Sequence, residues 1–159
     1  MQKIICFAGA SGSGKTALIE KLIPCLKSRG YTVGAVKHAH HGFEIDHKGK
    51  DSFRFFHAGC DSVAVSSQDK FSYIAAQEEE LPVQKIMNTY MQDVDIVLVE
   101  GYKESEVPKI EVLGQGETLD LYKSDKSVIA VVSAKKVDTD LPQFNRNSIQ
   151  EIAEFVMSF

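Results

Sequence analysis

Residues 9–16 read Gly9-Ala10-Ser11-Gly12-Ser13-Gly14-Lys15-Thr16, the spacing G-x-x-x-x-G-K-[ST]. The chemistry this pattern serves is the holding of a polyphosphate. Gly9, Gly12 and Gly14 let the backbone fold so that N–H groups converge, with Ser11 and Ser13 between them. Lys15 brings a point charge for the β and γ phosphates, and the Thr16 hydroxyl is placed to ligate Mg²⁺. A second group with chemical meaning is Glu100, which closes the apolar run Ile96-Val97-Leu98-Val99 just before Gly101. A carboxylate at the end of a buried strand can orient Mg²⁺ or its waters against such a loop. Lys15 and Glu100 are therefore the candidate catalytic residues.

Further candidates are weaker. Four of the five histidines fall in residues 37–47, the segment Lys37-His38-Ala39-His40-His41-Gly42-Phe43-Glu44-Ile45-Asp46-His47. The spacing of His38, His40 and His41 does not define a zinc site, and three readings stay open: a nucleotide-responsive loop, a plain polar loop, or a metal site. Asp46 is the carboxylate in this segment most suited to help hold Mg²⁺ beside Thr16 and Glu100. Lys50 and Arg54 could contact an anion or belong to a solvated face. Lys136-x-Asp138 has the spacing with which a carboxylate accepts from the N1–H and 2-amino groups of guanine, although Lys135 stands where an Asn would ordinarily precede it. Asp138 is either a guanine-reading residue or part of an ordinary surface loop.

The elements that must position these groups follow from pattern. Residues 3–8 make a strand, and a helix runs from about Lys15 to Arg29, with Gly30 suited to its left-handed stop. Pro24 inside that helix predicts a kink or break. Residues 31–37 read as a second strand buried on both faces, giving a right-handed βαβ unit. A short helix over 49–59 turns Phe53 and Phe56 inward. Segments 61–66 and 70–75 alternate with period two as a hairpin. A helix opens at Pro82 and runs through Met91, with Val83, Ile86, Met87 and Tyr90 as its apolar face. Strands follow at 95–101, 108–113 and 127–133, the last closing the parallel set, and a packing helix at 148–156 ends the pattern. The fold class this gives is α/β: a three-layer sandwich of the phosphate-loop NTPase type, mostly parallel with helices on both faces, plus an antiparallel hairpin.

Composition fits one domain over residues 1–159, with 43% hydrophobic and 25% charged residues. A net charge of −4 and the lack of a basic stripe argue against nucleic-acid binding. No apolar run approaches the ~18 residues that span a bilayer, and no basic leader precedes the first strand, so a cytoplasmic protein is expected. Cys6, Cys25 and Cys60, an odd count without C-x-x-C spacing, read as small buried residues rather than a disulfide or zinc framework.

Taken together, the glycine loop, Lys37-His38-x-His40-His41, Gly49-Lys50-Asp51-Ser52-x-Arg54 with Ala58-Gly59, and Val97-Leu98-Val99-Glu100-Gly101-Tyr102-Lys103 resemble the molybdopterin-guanine dinucleotide biosynthesis protein B family. The likeness runs from the first strand to about Ser133, and Lys48 departs from it where proline would be expected. The resemblance implies a homodimer that binds GTP with Mg²⁺, hydrolyses it weakly, and assists the molybdopterin guanylyltransferase of molybdenum cofactor maturation. Molybdopterin or its guanine dinucleotide is a further ligand it would allow. The other function classes left open are a GTP-dependent metal-insertion chaperone, a small-molecule kinase, and an interaction module that keeps the loop as architecture. Arg29, Arg54 and Arg146 are the only arginines and are widely separated. An arginine-rich kinase lid is thus poorly supported, and without an arginine finger hydrolysis should be slow.

Overall fold

The computed structural model describes residues 2–39, 42–119 and 121–159. His40 and His41 of the histidine-rich segment lie outside the described residues. Two compact units divide the chain, residues 1–38 with 82–159 and residues 39–81.

The first unit is a six-stranded sheet in the order β2-β5-β1-β6-β7-β8. Its strands are β1 (Lys3–Ala8), β2 (Val33–Lys37), β5 (Ile96–Glu100), β6 (Lys109–Val112), β7 (Val128–Ser133) and β8 (Gln143–Asn145). Every pairing is parallel. Period-two alternation along β1 and β5 sorts the core into two layers. Ile5, Phe7, Ile96 and Leu98 face one side and pack with Leu18, Leu22 and Leu26 of α1 (Lys15–Lys27) and Ile152, Ala153 and Val156 of α4 (Ile149–Ser158). Cys6, Ala8, Val97 and Val99 face the other side and meet Val83 and Met87 of α3 (Val83–Tyr90). Helices therefore cover both faces, as the expected sandwich requires.

Several local expectations are corrected. Of the kink or break expected at Pro24, the break does not occur, and the first helix runs through it. Pro24 cannot donate to the Glu20 carbonyl, and Leu22 and Leu26 on either side of it are fully buried, so packing holds the helix across it. Its stop is as read, with Gly30 at φ 90°. β2 is an edge strand with Val36 its one buried residue, not a strand covered on both faces. Tyr90 is 56% exposed, so the apolar face of α3 ends at Met87. β7 does not close the parallel set, because the three residues of β8 pair beyond it. Of the cysteines, Cys6 is buried, Cys25 is half-buried, and Cys60 is exposed.

The second unit holds α2 (Asp51–His57) and the antiparallel pair β3 (Ser62–Ser66) and β4 (Phe71–Ala75). The hairpin forms a two-stranded sheet of its own instead of extending the six-stranded one. Phe53 and Phe56 are half-buried on α2, whereas Phe55 between them is 57% exposed.

Candidate functional site

The chain leaves β1 at its carboxyl end between β5 and β6, where the strand order changes side. In open α/β sheets this crevice is where ligands bind. Gly9 opens the loop at φ 143°, and a methyl there would run into the Val112 carbonyl oxygen of β6. Gly12 and Gly14 also hold positive φ, and Gly14 serves as the N-cap of α1 without a side-chain cap. The first backbone bond of α1 is Leu18 N–H to the Gly14 carbonyl at 3.0 Å. The N–H groups of Lys15, Thr16 and Ala17 precede it, at the positive end of the helix dipole with no acidic residue in the first turn. This is the arrangement that favours an anion. The Lys15 ammonium donates to the carbonyls of Gly9 at 3.1 Å and Ala10 at 2.6 Å, with Ser13 Oγ at 3.4 Å. Those bonds draw the charge over the loop.

Glu100 comes to the same place by register. It is paired with Phe7 of β1 on one side and Lys37 of β2 on the other. Its Oε2 accepts from the Thr16 hydroxyl at 2.8 Å, and its Oε1 meets the Lys37 ammonium at 3.0 Å. Thr16, Glu100 and Lys15 are thus brought together at one rim, as the sequence reading expected. Lys37 was not read as part of the group. Its position at the end of a parallel neighbour of β5 was the available signal. The Lys37–Glu100 pair is half in solvent and is a weak contributor to stability, but it fixes which way the carboxylate points.

Beyond Glu100 the backbone is constrained. Gly101 has φ 94°, and an added Cβ would approach His38 Cβ to 2.7 Å. Tyr102 takes φ 48°, a rare left-handed residue that is not glycine, and its ring stacks on His38 with centroids 4.5 Å apart. The Cys6 thiol donates to the Gly101 carbonyl at 2.6 Å. Lys103 lines a cavity of about 190 Å³ together with Gly9, Ala10, Glu111 and Glu117.

Two buried groups hold the loops around this rim, and neither was anticipated. Lys109, fully buried, donates to the Ser105 carbonyl and the Ser127 hydroxyl and pairs with Asp125 at 2.9 Å. Burial pushes the Asp125 carboxyl up, but hydrogen bonds from Ser127 and Lys109 outweigh it, and the group sits below its ordinary value. Glu111, also buried, accepts the backbone N–H groups of Leu121 and Tyr122 at 3.0 Å each. A lysine and a glutamate in a four-residue strand gave no sequence signal, because all their partners but Ser105 lie in loops ten or more residues away.

Arg146, in the turn before α4, reaches the loop from behind. Its guanidinium donates to the Ser13 carbonyl at 3.2 Å and to the Leu113 carbonyl. Beside it a cleft of about 680 Å³ opens between residues 113–117 and 133–137, lined by Leu113, Gly114, Glu117, Ser133, Lys135 and Lys136. Asp138 is exposed and follows directly on that lining. Asp46 belongs to the second unit, where its Oδ1 accepts the His47 N–H at 2.8 Å. Arg54 there pairs with Asp51 at 3.5 Å on an exposed face. No group of three or more His, Cys, Asp or Glu placed to hold a metal occurs among the described residues. No helix among them is long and apolar enough to cross a membrane.

A parallel sheet covered by helices on both faces, with a glycine loop joining its first strand to its first helix, defines the class as an α/β protein of the phosphate-loop type. Within that class, residues 4–134 match the family model described as MobB, molybdopterin guanine dinucleotide synthesis protein B. The chain belongs to this family. It is 35% identical to the molybdopterin-guanine dinucleotide biosynthesis adapter protein of Escherichia coli (strain K12), over 100% of this chain and 94% of that protein. It is 34% identical to the adapter protein of the same name from Haemophilus influenzae, over 96% and 86%. Among solved structures it is similar to a crystal structure of molybdopterin-guanine biosynthesis protein B, with TM-score 0.80 and 30% identity, covering 98% of this chain and 97% of that one. The Bacillus subtilis MobB structure superposes with TM-score 0.79 at 29% identity, covering 98% and 96%.

Proposed function

We propose that this chain binds GTP with Mg²⁺ at residues 9–16, hydrolyses it weakly at most, and acts as an adapter for a guanylyltransferase in molybdopterin guanine dinucleotide biosynthesis. The observation that carries the nucleotide part is the Thr16–Glu100 contact of 2.8 Å at the base of the glycine loop. A hydroxyl and a carboxylate held this close, beside a helix N-terminus and a lysine, are oxygen donors of the kind Mg²⁺ takes. Magnesium, when bound, would offset charge on the β and γ phosphate oxygens. Thr16 and Glu100 would hold it directly or through water, Lys15 would pair with the terminal phosphates, and Gly9, Ser11, Gly12, Ser13 and Gly14 would cradle them with their N–H groups.

The base is assigned to the cleft between residues 113–117 and 133–137, with Asp138 at its margin as the residue to read the guanine edge. Arg146 does not act as an arginine finger in this arrangement. Its guanidinium is engaged with two backbone carbonyls and braces the loop from the base side. Slow turnover follows, since nothing in the first unit offers a free guanidinium to the transferring phosphoryl group. The adapter role and the guanylyltransferase partner rest on the family membership and on the names of the two bacterial relatives.

Calorimetric titration with GTP and ATP in Mg²⁺ tests the nucleotide reading. GTP should bind more tightly than ATP, and Lys15→Ala should weaken GTP by about tenfold or more, the cost of a lost charge-assisted contact. Equal affinity for both nucleotides would remove the guanine assignment. Binding unchanged in Lys15→Ala would remove the loop from the site.

A further inference from the structure

Lys37 is the member of the rim that the nucleotide reading leaves without a task. It ends β2, and parallel register sets it opposite Glu100 of β5. Its ammonium lies 3.0 Å from Glu100 Oε1, while Oε2 accepts from the Thr16 hydroxyl at 2.8 Å. Both carboxylate oxygens are thereby engaged, on a side chain that is only 16% exposed. The lysine is the opposite case, with its side chain 63% exposed.

The surroundings hold Glu100 where it is. Its carbonyl accepts the His38 N–H at 2.8 Å, and the next N–H, that of Gly101, donates to the Phe7 carbonyl at 3.3 Å. The Lys15 ammonium is drawn to the Gly9 and Ala10 carbonyls, so the charge that neutralises Glu100 is that of Lys37. A confined carboxylate and a solvent-exposed ammonium form a weak pair, one that a stronger cation can replace.

We infer that Lys37 stands in for the metal's charge in the nucleotide-free chain, so that Glu100 takes a divalent cation only together with a triphosphate. This rests on the assignment of Mg²⁺ to Thr16 and Glu100, and adds an order of events to it. Without nucleotide, Thr16 and Glu100 offer two oxygens, short of the near-octahedral set that Mg²⁺ demands, and an ammonium already balances the carboxylate. With a triphosphate in the loop, phosphate oxygens supply further ligands, and Glu100 exchanges its ammonium partner for the metal. Lys37 acts through Glu100 and is a positioning residue, not a catalytic one.

Mn²⁺, a paramagnetic substitute for Mg²⁺, tests this by electron paramagnetic resonance on the full chain. Without nucleotide, wild type should leave the free-ion signal unchanged, and Lys37→Met should bind Mn²⁺ about tenfold more tightly or better. That factor is the scale of the repulsion between a single and a double charge a few ångström apart, even in water. Lys37 is mostly in solvent, so Lys37→Met should keep the fold. Lys37→Arg, which restores the cation, should behave as wild type, and adding Glu100→Gln to Lys37→Met should abolish the gain. In wild type, protein-bound Mn²⁺ should appear once GTP is added. Mn²⁺ bound by wild type without nucleotide, no gain in Lys37→Met, or a gain that survives Glu100→Gln overturns the inference and leaves the nucleotide reading standing. GTP that brings no bound Mn²⁺ to wild type overturns both.

Discussion

Cys6 shows how one residue can record its surroundings. It lies in the middle of β1, fully buried between β5 and β6, with its thiol on the Gly101 carbonyl. Burial pushes the thiol from about 9.0 up to about 12, the Lys109 charge pulls against this, and Asp125 adds to the rise. The folded chain therefore keeps its proton where the unfolded chain loses it. Stability from this group is fully present below pH 9 and is lost as pH climbs from about 9 toward 12. Urea unfolding at pH 8 and pH 10.5 should show wild type losing more stability across that interval than Cys6→Ala. Parallel losses in the two proteins would mean that the thiol is not held protonated. The same burial predicts an order of labelling by a thiol reagent, with exposed Cys60 first and Cys6 last.

At the scale of elements, the rim of the sheet depends on β6 more than its four residues suggest. The Lys109 ammonium ties the loop after β5, through Ser105, to the loop before β7, through Ser127 and Asp125. Lys109→Met would keep the aliphatic stem and leave Asp125 without its cation, a change that should cost about 3 kcal/mol, near the lower end for breaking a buried pair because Asp125 is partly in solvent. Thermal unfolding measures the loss, and a midpoint equal to wild type would show that Lys109 is replaceable by apolar volume alone. This knot also marks where sequence reading stops. The strands and the Thr16–Glu100 meeting were legible because apolar runs, a glycine loop and strand ends are local signals, and parallel register then places neighbouring ends together. Lys109, Glu111 and Arg146 were not legible, since each takes its meaning from partners far along the chain. Tyr90 followed the helical period but lies at the end of α3, where the helix has left its core. β8 was missed because three residues carry no period.

For the molecule as a whole, apolar exposure is uneven. Eight large hydrophobic side chains are exposed among the described residues, and Phe43, Ile45, Phe55, Val65, Phe71 and Tyr73 all belong to residues 39–81. Among its described residues that unit has no fully buried residue on α2, and its sheet is two-stranded. A lone hairpin is marginal in water, and apolar surface of this kind marks association. A homodimer, as the resemblance implies, in which the hairpin face of one protomer met the same face of its partner would account for both facts, since a two-fold interface reuses a single patch. Phe71 pairs with Ser66 and Tyr73 with Ala64 across the hairpin, and period-two alternation puts Phe71 and Tyr73 on one face. Both are exposed, at 68% and 49%, so replacing them by glutamate should change the stability of an isolated chain by only about 0.5 kcal/mol. Sedimentation equilibrium should give a dimer for wild type and a monomer for the Phe71→Glu, Tyr73→Glu double variant. GTP affinity of that variant should stay near wild type, because residues 9–16, Lys37 and Glu100 all lie in the first unit. A monomeric wild type would reject the interface, and a double variant that remains dimeric would move it off the hairpin.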